Sequence, residues 1–561
     1  MTDVIIKSLS EIVGKKNLIL SKTKMAGYIN SWRDTSGDCK AIIIPESLKS
    51  MWKVLEILVA YKKVILIQAA NTSLTGGSTP NGKYDRELFI INTKKIKSIY
   101  ILDQAKQILA LPGSTLYDLE KKLKPFNRAP HSEIGSSCIG ASIVGGICNN
   151  SGGALIKRGP AYTEMSLFAK VNEDGKLELV NKLNIDLGKT ELEILDKLDQ
   201  GKIDLKDCIP TNAKASCFNY KEILKDTKAN TPARYNANKN NLYDASGCAG
   251  KVAVFAVRLD TFKKEEGESV FYLSTNSSKD LTKLKNDILT KIDDLPTYAE
   301  YMHSNVYEVS KNFGRDAFYL IYFFGTDAMP FFYKTRNIID KFLKKFKFLS
   351  YNALESILQK LSYLLPNIMP KKFDDLNKRY EHHLILKCDN KSVKDIERII
   401  TRNFNSSKKN SFINCSSKES KKLILNRFVT AGATIRYAKI NRKANSELLA
   451  LDIAYKRSEK NWEEYLPEKI RKNILKSFNY GHFFCNVFHR DYVLKKKASL
   501  TAVKYDLLSR LKDMGAKYPA EHNVGHMYEA EKDLEMFYKK LDPTNTFNPG
   551  IGKTSKLKKY K

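Results

Sequence analysis

Short apolar runs separated by polar turns dominate the first half of the chain. Val64-Ile-Leu-Ile67, Leu88-Phe-Ile-Ile91 and Ile108-Leu-Ala-Leu111 each predict a short buried strand. Thr115 to Leu123 predicts a helix, with apolar residues at 116, 119 and 123 and acids near its start. Lys251 to Arg258 predicts a buried strand behind the turn at Gly247 and Gly250. Strands and helices alternate in this way as far as residue 262, the signature of an α+β architecture. From Ser304 to Tyr380 glycine becomes scarce and the pattern turns helical, basic and aromatic. Between Lys334 and Tyr380 there are 11 Lys/Arg against 4 Asp/Glu, with Phe331, Phe332, Phe342, Phe346 and Phe348 nearby or among the cations. Strand-like runs return at His383-Leu-Ile-Leu-Lys387, and the basic tail Lys553–Lys561 reads as a mobile end.

A chain of 561 residues is long for one core, and its 42% hydrophobic and 28% charged residues suit several ordinary globular domains. The net charge of +33 changes the picture, because such a field favours nucleic acid, anionic lipid or phosphate-bearing ligands. Lysine is abundant throughout, so charge alone does not choose among them. Nine cysteines without a CxxC pair argue against a disulfide framework and for a reducing compartment. Met1–Leu20 mixes charges into short apolar runs and makes a poor secretion signal. No apolar run reaches the ~18 residues of a membrane span, so a soluble or peripheral protein is expected.

Two segments rich in small residues carry the candidate chemistry. Ala69-Ala-Asn-Thr-Ser-Leu-Thr-Gly-Gly-Ser78 follows the strand that ends at Gln68, and Ile134–Gly153 holds six glycines in twenty residues. Small residues admit close backbone approach, and successive N–H groups in a tight turn form an anion nest. Gly77-x4-Gly82-Lys83 nearly matches a P-loop, but Tyr84 stands where a magnesium-binding hydroxyl is required. A G-x-G-x-x-G dinucleotide fingerprint between strand and helix is also missing. The pairing of two such segments points to a diphosphate-bearing cofactor.

Longer motifs then carry a resemblance. Asn71–Gly82, Pro130–Ser142, Gly145–Gly153, Arg158–Glu164, Thr231–Asn236, Pro519–His526, Asp542–Asn545 and Asn548–Lys553 resemble the bacterial quinone-dependent D-lactate dehydrogenases, within the vanillyl-alcohol-oxidase-like flavoproteins. The resemblance runs nearly end to end. It implies an α+β chain: a two-subdomain PCMH-type FAD-binding domain over 1–262 completed by 515–561, an α/β cap over 263–303 plus 381–514, and a basic, mainly helical membrane-binding insertion over 304–380. It implies noncovalent FAD, its diphosphate held by Ala69, Ala70, Asn71, Thr72, Ser73, Gly77 and Ser78. Gly135, Ser142 and Gly152 would line the cofactor's path, and Val254 would touch it through its backbone. His131 reads as a hydrogen-bonded turn residue, a covalent flavin link being the alternative.

Oxidation of a hydroxy acid needs a base for the hydroxyl proton and a cation for the carboxylate. His522 is the expected base, His526 the fallback, and Arg436, in the strand-like Thr434–Tyr437, the expected carboxylate clamp. His382 and His383 are expected to face opposite sides of a strand, one toward the site. His482, His489 and Glu521 resemble the divalent-metal set, such as a zinc site, of related FAD-linked 2-hydroxyacid dehydrogenases. Those relatives carry a Gly-Asp-Gly-Asn type of turn where this chain has Phe483–Phe488, so a metal site and a locally hydrogen-bonded pair both stay open. The resemblance further implies D-lactate as substrate and membrane quinone as oxidant. It also implies peripheral binding to an anionic phospholipid surface on the cytoplasmic face of the inner membrane. Two other classes compete: a nucleic-acid-binding protein, which is not expected, and a flavin oxidase or dehydrogenase acting on another 2-hydroxy acid.

Overall fold

The computed structural model describes residues 2–31, 36–132, 137, 139–343, 352–404, 409–441 and 445–561. The N-terminal part builds on two sheets. Strands Ala41–Ile43, Leu88–Asn92 and Val64–Gln68 run parallel, with Leu18–Ile19 added antiparallel at the edge. Helices pack on these strands, which is why they read as unbroken apolar runs rather than alternating ones. Helix Leu48–Ala60 buries Leu48, Met51, Leu55 and Leu58 at helical spacing against the sheet, and Ser47 caps it by accepting from Ser50 N–H. The far end of the chain closes this sheet. Ile65 N–H donates to Thr546 O and Asn548 N–H to Ile65 O, both at 2.9 Å.

The second sheet has five antiparallel strands in the order Ile99–Leu102, Gln107–Ala110, Ala253–Asp260, Ser166–Val171, Leu177–Asn181. The short helix Ile143–Cys148, inside the Gly-rich segment, packs on it through Ile143, Val144 and Ile147.

A seven-stranded antiparallel sheet dominates the C-terminal half. Its order is Asn410–Cys415, Ser269–Thr275, His382–Cys388, Tyr298–His303, Ile474–His482, Val487–Lys495, Asn445–Ala454. One face packs on helices Ser278–Lys291, Val393–Asn403 and Leu500–Asp513. The other packs on Ser304–Phe313, Arg315–Phe324, Lys371–Arg379, Ser417–Phe428 and Thr430–Ile440. The basic segment is helical as its composition suggested, with Met329–Leu343 and Ala353–Ser362 completing it. Phe346 and Phe348 lie outside the described residues.

Two expectations fail. Thr434–Tyr437 is not extended but lies inside helix Thr430–Ile440. The β-branched Thr-Ile pair suggests a strand, yet the buried Thr430, Ala433, Thr434 and Ala438 recur at helical spacing over the sheet. The tail is also docked rather than loose. Asn545 Nδ2 donates to the carbonyls of Ser555 and Leu557, and Lys558 N–H donates to Asp85, all at 2.8 Å.

Candidate active site

Between the two N-terminal sheets runs a groove walled by small residues. Ala69, Ala70, Asn71, Thr72, Ser73, Gly77, Ser78, Ser142 and Val254 all line it, together with Gly145, Gly146, Cys148, Asn149 and Gly250. Gly135 lies outside the described residues. Gly152 is not on the groove wall; its α-carbon abuts Glu521 and Arg234, and a Cβ there would come within 2.7 Å of Glu521 Oε1. The turn over residues 69–78 is shaped by left-handed backbone at Asn71 (φ 54°) and Gly76 (φ 71°). Ser78 Oγ donates to Asn71 Oδ1 at 3.1 Å across it. Among the described residues no Lys or Arg lines the groove. A diphosphate against the 69–78 turn is matched by backbone N–H groups and hydroxyls, so the residues fit FAD.

The groove ends at Glu521, His522 and Asn523. There it meets side chains from one face of the seven-stranded sheet. Register places them: Glu300 pairs with His482, Tyr480 with His489, and Asp452 with His489. Cross-strand partners share a face, so all of these side chains point toward the groove's end. His482 Nδ1 contacts Glu300 Oε1 at 2.6 Å and His489 Nδ1 contacts Asp452 Oδ1 at 3.1 Å. Their Nε2 atoms both turn to Glu521 Oε2, at 3.2 and 3.7 Å. One ligand atom from each of His482, His489 and Glu521 falls within 4.8 Å of the others. Two imidazoles and a carboxylate, each imidazole braced by a carboxylate on its other nitrogen, form a set that could hold a divalent metal ion.

Two arginines balance this acidity. Arg234, fully buried, contacts Glu521 Oε1 at 2.5 Å, and Arg427 contacts Glu300 Oε2 at 2.8 Å. Burial would raise the Glu521 pKa, but His482 and Arg234 outweigh it and hold the carboxylate well below its ordinary range. Burial likewise opposes charge on His482, yet Glu300 and Glu521 push its pKa up to about 10. Asp452 is lowered against burial by His489 and His522.

The expected base His522 lines the groove, about one-third exposed (34%), with Nε2 3.9 Å from Asp452 Oδ2. His526 instead sits behind the first Gly-rich turn, its Nδ1 donating to Gly550 O at 3.1 Å, and burial pushes its pKa down to about 4. Arg436 is not available as a carboxylate clamp. Its guanidinium is buried and bound by Asp316 at 2.6 and 2.7 Å, Glu355 at 3.2 Å and Phe313 O at 3.1 Å, tying its own helix to three others. His382 and His383 do point to opposite faces, but neither joins the cluster. His382 binds Tyr301 Oη at 2.8 Å, and His383 binds Ser274 Oγ at 2.9 Å. His131, expected to be a hydrogen-bonded turn residue, is buried with no hydrogen-bond partner for either ring nitrogen among the described residues, and burial and Arg158 lower its pKa to about 4.

Sequence reasoning missed Glu300, Asp452, Arg234 and Arg427. Arg234 had a signal, since it lies in the Thr231–Asn236 motif. The acids had none, because strand pairing alone brings them to the histidines.

The FAD binding domain family matches residues 39–178, and the family described as D-lactate dehydrogenase, membrane binding matches residues 270–560. A p-cresol methylhydroxylase structure superposes with a TM-score of 0.59 at 11% identity, covering 98% of this chain and 96% of its own. An alkyldihydroxyacetonephosphate synthase superposes at 0.58 and 10%, covering 98% and 84%. Fold and groove thus define an α+β flavoprotein with an FAD-binding domain. Two full-length relatives narrow it. The quinone-dependent D-lactate dehydrogenase of Escherichia coli (strain K12) is 46% identical over 99% of this chain and 97% of its own. That of Haemophilus influenzae is 43% identical over 99% of each. The chain belongs to the family of quinone-dependent D-lactate dehydrogenases.

Proposed function

We propose that the protein oxidises D-lactate to pyruvate at the junction of groove and cluster and delivers the electrons to a membrane quinone. The observation that carries this reading is that Glu521, a member of the His–His–Glu set, also lines the FAD groove, with His522 beside it. A flavin held in the groove and the base for the hydroxyl proton would therefore meet at one place. Bound FAD supplies the hydride acceptor, and a divalent ion on His482, His489 and Glu521 supplies polarisation of the substrate hydroxyl. His522 takes the hydroxyl proton, with Asp452 beside its ring. Arg234 keeps Glu521 ionised and aimed into the site. The FAD residues of the first Gly-rich turn hold the diphosphate through backbone N–H groups, without covalent attachment.

The helices between Ser304 and Arg379 suit the membrane contact. Phe323, Phe324, Phe331 and Leu364 are 68%, 71%, 75% and 82% exposed, a density of bare apolar side chains that water alone does not favour. Lysines and arginines on the same helices complement an anionic phospholipid surface, and the cytoplasmic face of the inner membrane is the side that carries one in contact with a reducing compartment. Among the described residues no helix is long and apolar enough to cross a membrane.

The test is anaerobic flavin bleaching with D- and L-lactate in parallel. D-lactate is expected to bleach the flavin and L-lactate to leave it oxidised. His522→Ala should retain FAD and lose bleaching by a factor of ~10²–10⁴. An unchanged bleaching rate in that variant overturns the assignment of the base.

A further inference from the structure

Helix Arg315–Phe324 carries five aromatic residues in ten, and their rings are ordered. Phe318 and Tyr322 are stacked, with centroids 5.8 Å apart and planes 9° from parallel. Tyr319 and Phe323 repeat the arrangement at 5.8 Å and 13°. Both pairs are i, i+4 neighbours on the helix surface. Edge-to-face contacts join them into a ladder, Phe318 to Tyr319 at 5.6 Å and Tyr322 to Phe323 at 5.3 Å. The ladder runs from inside to outside: Phe318 is buried, Tyr319 and Tyr322 are half-buried, and Phe323 and Phe324 are exposed.

This ladder bridges the helices suited to a membrane and the wall of the flavin groove. Its outer rings belong to the exposed apolar set on those helices. Just past them Asp327 reaches Lys121 Nζ at 3.7 Å, on helix Leu116–Leu123 of the FAD-binding domain. The start of that helix is bonded to the second Gly-rich segment, where Leu116 N–H donates to Ala141 O at 3.1 Å and Ile143 N–H to Ser114 O at 3.0 Å. Ala141 and Ser142 are groove wall. Ile139, within that segment, and Ala154, just after it, pack against the apolar cluster that holds Phe318 and Ile321. The inner end of the ladder thus shares its packing with the segment that walls the groove.

We propose that the aromatic face of helix Arg315–Phe324 is where the membrane quinone docks, its ring laid against the ladder and its apolar tail in the lipid. The inference rests on the reading of the protein as a quinone-linked dehydrogenase and names the surface that reading leaves open. A flat conjugated ring suits offset stacking on Tyr319 and Phe323. Lys421 Nζ lies 4.3 Å from the centroid of the Tyr322 ring, so a cation flanks the ladder where the oxygens of a ring gaining electrons gather negative charge. Two electrons and two protons pass from reduced flavin to the quinone. Its two carbonyl oxygens become the hydroxyls of the quinol, and the flavin returns to its oxidised form. A lipid acyl chain can also cover exposed rings, but it does not select parallel ring pairs beside a cation.

The experiment uses the full-length, FAD-loaded protein without vesicles, so that membrane partition plays no part. The flavin is reduced anaerobically, in one arm with D-lactate and in another with stoichiometric dithionite. Its reoxidation by a short-chain ubiquinone or by ferricyanide is then followed. Phe323→Leu and Tyr319→Leu are each expected to raise the half-saturating quinone concentration roughly 2- to 10-fold, the loss of one ring contact. Bleaching by D-lactate and reoxidation by ferricyanide should stay at the wild-type rate. Equal half-saturation in the wild type and both variants overturns the docking site and leaves the quinone-linked reading standing. Wild-type flavin that the quinone does not reoxidise overturns that reading itself, and the dithionite arm decides this whatever the hydroxy acid. Should Tyr319→Leu fail to fold, a short-chain azido-ubiquinone photolabel on the wild type decides. Label on the peptide carrying Tyr319 to Phe324 is the expected result, and label confined to other peptides overturns the proposal.

Discussion

Replacing Phe323, Phe324, Phe331 and Leu364 together by Ser tests how the protein meets a membrane. Burying a Phe or Leu side chain from water is worth roughly 1.5–3 kcal/mol. With exposures from 68% to 82%, each of these has most of that still to gain. The four together would contribute about 4–9 kcal/mol on full insertion, and about half of that in the partly wet interface. A loss of ~2–4 kcal/mol corresponds to a roughly 30- to 1000-fold weaker partition. The basic residues remain in the variant, each still contributing roughly 1 kcal/mol near an anionic surface. Residual binding should therefore become steeply salt-dependent. The assay is co-sedimentation with vesicles of neutral and anionic lipid at low and high salt. Anaerobic bleaching by D-lactate serves as the check that the fold is intact. A variant that still bleaches and partitions like the wild type at both salt levels refutes the reasoning.

Other expectations follow from the same geometry. Removing a divalent ion with a chelator should abolish D-lactate bleaching while FAD stays bound, and metal analysis should show the ion lost. Asp452→Asn, which weakens the brace on His489, should lower metal affinity by about 10–100-fold; unchanged affinity would remove Asp452 from that role. Arg234→Ala strands the buried Glu521 carboxylate and should cost about 3–5 kcal/mol in unfolding free energy. Pairing it with Glu521→Gln should recover part of that loss, whereas simple additivity in denaturant titrations would contradict the pairing. His131, His383 and His526 are neutral in the fold because burial lowers them to about 4, 3 and 4. Below their ordinary value of about 6.5 the unfolded chain binds more protons, so each withdraws ~1.4 kcal/mol of stability per pH unit as pH falls toward 4. A melting temperature equal at pH 7.5 and pH 5.5 would contradict this (pH values of roughly one unit on either side of the ordinary pKa).

The groove was legible in the sequence because its requirement is local. A backbone that must approach a ligand needs small residues in a row, and Ala69–Ser78 and Ser142–Gly153 display them. The strand at Val64–Gln68 and the helix at Leu116–Leu123 were legible for the same reason, since burial at a fixed period is written in neighbouring residues. Arg436 was misread because an arginine's partner is set by tertiary packing. Asp316 and Glu355 lie 120 and 81 residues away and nothing nearby in sequence announces them. Glu300 and Asp452 were invisible for the same cause. They become site residues only through strand register opposite His482 and His489. The docked tail was missed because a lysine-rich end looks solvated until Asn545 offers its side-chain amide to the carbonyls there.

The closure of the first sheet by residues 546–548 has a consequence for the order in which the molecule is made. Ile65 is translated early, yet its backbone partners Thr546 and Asn548 come some 480 positions later, as a separation far beyond any local fold. Glu521, shared by groove and cluster, arrives equally late. A growing chain thus carries an unsatisfied strand edge at Val64–Gln68 through almost all of synthesis, a segment open to mispairing. Neither the flavin groove nor the reaction centre is complete until that late stretch folds back. A ribosome stalled or a chain cut before it leaves no half-working flavoenzyme, only a polypeptide with an open edge for chaperones or proteases to find.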